Sequence, residues 1–135
     1  MLVKKPLTHA VREVLDDLDR LRPHIQAALD YTDGTHTFDD VCAMVLHGKL
    51  RLWPLENSVL LTEVVEFPQE KHYHMFLGGG NLQEILDMHP QIEAAAREAG
   101  CVKLSVTGRK GWSPVLEKHG WELKHVTCVK KVGHE

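Results

Sequence analysis

The chain has 135 residues, 43% of them hydrophobic, with a formal charge of −3 and a pI near 6.3. That length suits one globular domain, residues 1–135, whose core needs neither disulfides nor metal to hold it. The slight acidity argues against a protein whose main work is to coat nucleic acid or an anionic membrane surface. Three cysteines, Cys42, Cys101 and Cys128, are widely spaced and each set in an apolar run, a pattern of reduced core thiols in a cytoplasmic protein rather than of a disulfide framework. No C-x-x-C pair and no His pair at helical i, i+4 spacing occurs, so no metal site is expected. The opening "MLVKKPLTHAV" lacks the apolar run of a signal peptide, and no window reaches about 18 apolar residues, so a soluble protein without membrane contact is expected.

From Thr8 to about Tyr31, Val11, Val14, Leu15, Leu18, Leu21, Ile25, Ala28 and Leu29 recur at helical spacing, with Pro23 placed to kink or restart the helix. A second helix opens at Thr37, whose hydroxyl can cap it and whose Asp39 and Asp40 suit a positive helix start; it runs to Gly48. Three strand-like runs follow, 49–55, 58–67 and 71–77, with breaks short enough for an antiparallel meander. After Gly78, Gly79 and Gly80, Asn81 can cap a helix in which Glu84 reaches back to the cap and which Gly100 ends. Residues 101–107 read as a strand and 113–120 as a short helix with Ser113 as cap, Pro114 at its first position and Gly120 as stop. "WELKHVTCVKKV" reads as a closing strand. The third strand, the helix after the glycines and the strand at 101–107 form a β-α-β crossover, which makes those two strands parallel. A ligand of such a unit sits where the first strand ends and the helix begins, and the three glycines lie there.

This order of elements, together with "LEKHGWELKHV", resembles the GNAT superfamily of acyl-CoA-dependent N-acyltransferases from about Thr8 to Val132; "VTGRKGWSPVLEKHGW" is most similar to small GNAT-like proteins encoded by phages and prophages. The resemblance implies an α/β fold with a mixed, mostly antiparallel sheet flanked by helices on both faces. It implies acetyl-CoA or another acyl-CoA as cosubstrate, lying between the strands at 71–77 and 101–107 with its pyrophosphate on the backbone of "GGGNLQEI", and an amine as acceptor. That loop lacks the family's Arg or Gln three residues before a Gly-x-Gly, and Glu84 puts a negative charge in the first turn. The family's tyrosine on the last helix has no counterpart in "SPVLEKHG". A non-catalytic relative of the phage-encoded kind, acting through a protein partner in assembly, in a virion or in a host cytoplasm, is the competing expectation.

The candidate residues carry two readings each. Gly78, Gly79 and Gly80, with Asn81, either cradle phosphate or make a tight turn. His72 and His74 share one strand face, either as a polar surface or with His74 as general base, since imidazole titrates near neutrality. Glu63, inside "LLTEVV", is the first choice as base because a carboxylate there is costly to bury unless paired, and Glu66 is its neighbour; the alternative is an outward-facing residue on a half-exposed sheet. Arg109 and Lys110 sit just past a strand end on the glycine rim, as coenzyme-phosphate contacts or as a solvated loop. Trp53, Trp112 and Trp121 suit core or rim packing.

Overall fold

In the computed structural model, which describes residues 4–108 and 111–133, three helices precede the sheet: α1 (Lys4–Arg20), α2 (Arg22–Leu29) and α3 (Phe38–Leu46). Pro23 sits in the first turn of α2, where a missing N–H costs nothing, so the long apolar stripe is cut at Leu21 rather than bent. Thr37 caps α3 as expected: its Oγ1 accepts from Asp40 N at 3.1 Å, and Asp40 Oδ2 accepts from Thr37 N at 2.9 Å. These bonds hold the Asp40 carboxyl below its ordinary pKa.

The sheet has the order β1-β2-β3-β4, from β1 (Arg51–Pro54), β2 (Ser58–Glu66), β3 (Lys71–Gly80) and β4 (Lys103–Val106). The first two pairings are antiparallel and the last is parallel, so the crossover and the mixed, mostly antiparallel sheet are as expected. α4 (Leu82–Leu86) and α5 (His89–Glu98) link β3 to β4, and α6 (Trp112–Glu117) follows β4. One face of the sheet packs Val59, Leu61 and Leu77 against Leu18, Leu21, Ile25, Leu29 and Val41 of α1–α3. The other packs Trp53, Leu60 and Tyr73 against Ile85 of α4 and Ile92, Ala95 and Ala96 of α5. Helices therefore cover both faces. Thr62 is fully buried but satisfied: Trp53 Nε1 donates to its Oγ1 at 2.9 Å, and that hydroxyl donates to Tyr73 Oη at 3.0 Å.

Four local readings change. The single helix expected after the glycines is two, because Pro90 opens a new helix at α5. β3 continues through all three glycines instead of ending at Leu77. α6 starts at Trp112, so Ser113 lies inside it and donates to Glu117 Oε1 at 3.3 Å rather than capping. No strand forms in residues 121–133: every described residue after Trp121 is exposed, and Cys128 with them, whereas Cys101 is buried and Cys42 half-buried. Among the described residues no helix is long and apolar enough to cross a membrane.

Candidate functional site

Partners run out along β3. From His72 to Met75 each residue faces one on β4 (Lys103 to Val106) and one on β2. β4 then ends, and β3 carries a bulge: Met75 faces Thr62 and Leu77 faces Leu61, which leaves Phe76 without a partner on either side. Leu77, Gly78, Gly79 and Gly80 pair with β2 alone. The open edge borders a cavity of about 230 Å³, lined by Met75 to Gly80, by Val106 to Gly108 beyond β4, by Ala27, Ala28, Tyr31 and Thr32 of α2 and the turn after it, and by Trp112 of α6. Main-chain groups of an unpaired strand edge need partners, and an extended ligand entering this gap can supply them.

The three glycines answer to different neighbours. A Cβ on Gly79 would stand 2.5 Å from the carbonyl oxygen of His24, so its absence lets α2 lie directly on β3. Gly80 has φ +102 and would drive a Cβ to 2.3 Å from Asn57 O, so it is fixed by the turn into β2. Both are explained by packing. Gly78 is the exception: its nearest neighbour would be Trp112 Cη2 at 3.2 Å, a side chain on the cavity wall.

Asn81 caps α4, accepting from Glu84 N at 3.1 Å, and Asn81 N donates to Asn57 O at 3.3 Å. The Glu84 carboxylate does not reach back to the cap. It accepts from Asn57 N at 2.9 Å and from the hydroxyl of Ser58, bonds that hold its pKa below the ordinary value. α4 spans only five residues, so it presents a short helix start. The glycine run and the start of α4 thus form a strand end stapled to the β1–β2 turn. Arg109 and Lys110 lie outside the described residues.

The two candidate bases meet. Glu63 on β2 faces His74 on β3, and His74 Nδ1 lies 2.9 Å from Ser105 Oγ on β4, so three strands converge on one imidazole. Burial pushes the His74 pKa below its ordinary 6.5, against the pull of the Glu63 charge and with a small push from His72. At neutral pH the ring is uncharged and can accept a proton. Glu63 is half-buried beside it, and Glu66 is exposed with Lys71 Nζ at 3.7 Å. His72 belongs to another cluster: its Nε2 meets Glu70 Oε2 at 2.5 Å, with Lys103 Nζ on the same oxygen at 2.8 Å, and the Glu70 pKa is lowered by these two partners. Neither Glu63 nor His74 lines the cavity; Met75, the residue after His74, does. Among the described residues no group of three or more His, Cys, Asp or Glu is arranged to hold a metal ion.

The sequence reading missed the α2 wall, Trp112 as a wall, and the bulge. One signal was available: Ala27 and Ala28 are small where α2 crosses Gly79, and small residues on both partners mark a close approach of backbones. His36, also unanticipated, packs edge-on to Phe76 with ring centroids 4.8 Å apart and its Nδ1 2.7 Å from Thr35 Oγ1.

No protein-family model and no curated protein matches the sequence. Solved structures do match the fold. A possible acetyltransferase from Clostridium difficile 630 superposes with a TM-score of 0.61 at 12% identity, over 88% of this chain and 93% of that one. The protein TTHA1254 from Thermus thermophilus gives 0.57 at 16% identity, over 89% and 93%. The aminoglycoside acetyltransferase meta-AAC0020 from an uncultured soil metagenomic sample, solved with sisomicin, gives 0.52 at 11% identity, over 98% and 93%. Nearly the whole of the chain is thus laid out in the α/β fold of acetyltransferase structures.

Proposed function

We propose that the protein is an acyl-CoA-dependent N-acyltransferase. The observation that carries this reading is the opening between β3 and β4, where a one-sided strand edge borders a cavity beside an uncharged, half-buried histidine. The cavity has room for an acyl group and the thiol end of a pantetheine arm but not for a whole coenzyme, so the nucleotide would lie outside it. The amide groups of the arm would pair with the free edge of Phe76 to Gly80 as an added strand does. Gly78 keeps the slot open opposite Trp112.

In the reaction the amine nitrogen forms a bond to the thioester carbonyl carbon, the carbon–sulfur bond breaks with its electron pair leaving on sulfur, and the extra proton on nitrogen is removed. His74, with Glu63 across the strand and Ser105 at Nδ1, is suited to take that proton through water and to pass it on to solvent or to the departing thiolate. The roles of Glu63 and Ser105 are to orient the ring and to stabilise its charged form.

Two observations favour a second reading, a non-catalytic protein with this fold, of the phage-encoded kind that acts through a protein partner: packing alone accounts for Gly79 and Gly80, and α6 offers no tyrosine. Calorimetric titration with acetyl-CoA and with free coenzyme A separates the two. Binding that weakens in Gly78→Val supports the enzyme. No heat and no thermal stabilisation at about millimolar ligand excludes it.

A further inference from the structure

Two unsatisfied features of the chain are complementary. Residues 121–132, "WELKHVTCVKKV", contain neither Gly nor Pro and hold the β-prone run Val126 to Val129, yet they form no strand. Leu123, Val126, Val129 and Val132 are 66%, 80%, 78% and 77% exposed, four large apolar side chains held in water, of which an extended chain puts Leu123 and Val129 on one face and Val126 and Val132 on the other. Trp121 N donates to Leu116 O at 3.2 Å, and beyond it no backbone hydrogen bond among the described residues joins this segment to the body. The second feature is β4, which pairs with β3 on one side and leaves its other edge open. An open edge and a free β-prone segment are donor and template for strand addition.

We propose that residues 121–132 of one protomer pair with the open edge of β4 in a second copy, reciprocally, to make a two-fold dimer. Length selects the second copy over the chain's own edge. β4 offers four residues, roughly 13 Å of ladder, whereas twelve residues reach roughly 40 Å. Folding back would leave most of the segment as exposed as it is in the monomer. In a two-fold pair each edge takes part of the partner's segment, and the remaining lengths lie beside each other across the axis, so the segment's main chain is paired along its whole length. The pairing uses the side of β4 away from the cavity, and the proposal therefore does not depend on acyl transfer.

Light scattering after size exclusion at about 10–100 μM reads the mass, and amide hydrogen exchange reads residues 121–132. The expected result is a dimer whose segment amides are protected. The double substitution Val126→Asp with Val129→Asp, in the full-length chain, leaves the helical far-ultraviolet signal unchanged, yields monomers and removes the protection. The proposal is overturned if the natural chain is a monomer, with the segment protected or not. It is equally overturned if the dimer survives the double substitution or if the segment exchanges freely within the dimer.

Discussion

The two halves of β3 are one strand with two kinds of chemistry. His72 to Met75 lie between β2 and β4, with the main chain paired on both sides, so what this half can offer is side chains. Phe76 to Gly80 have β2 alone or nothing beside them, and three of the five residues have no side chain, so what this half can offer is main chain. The full pairing of the first half fixes His74 between Glu63 and Ser105, and the partial pairing of the second leaves the gap that borders the cavity. The paired imidazole and the open edge adjoin each other because β4 ends at Val106.

The sharpest way to break the first half is His74→Asn. The turnover number falls about 10²–10⁴-fold while acetyl-CoA affinity is kept, read by release of free thiol and by calorimetry. Because burial lowers the His74 pKa, the ascending limb of the pH–rate profile lies below 6.5 and is lost in the variant. Within the second half, Gly79→Ala forces α2 off the strand by its contact with the His24 carbonyl and destabilises the fold by about 1–3 kcal/mol in urea titration. Gly78→Val presses on Trp112 instead and weakens acetyl-CoA about tenfold, near 1.4 kcal/mol, with a smaller change in the urea midpoint than Gly79→Ala causes. The smallest effect is expected at the far end of the first half. Glu70 has a lowered pKa in the fold, so its contribution is present above the ordinary value of 4.5 and is lost as pH falls through the folded value. Glu70→Gln accordingly lowers the melting temperature slightly at pH 7, and the difference from the natural chain closes in acid.

Much of this arrangement was legible because its signals are local. Thr37 with Asp40, Asn81 with Glu84 N, and Gly100 at φ +80 are helix boundaries written in neighbouring residues. The meander followed from short breaks, and the meeting of Glu63 and His74 follows from its register. What escaped is tertiary. Glycines give no β signal, so the extension of β3 through Gly78, Gly79 and Gly80 depends on their pairing with Leu60, Val59 and Ser58. Glu84 looked like a charge set against an anion, and only the approach of the β1–β2 turn shows it committed to Asn57 and Ser58. "WELKHVTCVKKV" has the composition of a strand, but composition does not supply a partner, and within one copy none is paired with it.

The unpaired Phe76 resets the phase of its strand. Tyr73 and Met75 point to the α4–α5 side, Phe76 and Leu77 both join the α1–α3 side, and alternation then resumes with Gly78 toward Ile85 and Gly79 toward α2. The sequence of β3 is therefore read in two frames, and one residue is the splice between them. Deleting Phe76 would merge the frames by removing the extra residue: Met75 would be followed by Leu77 on the opposite face, and every later position would keep its side. Gly78 would stay toward Ile85, and Gly80, with its φ of +102, in the turn that requires it. The extra residue is thus accommodated where it stands, and what its removal would cost is the packing of Phe76 on His36.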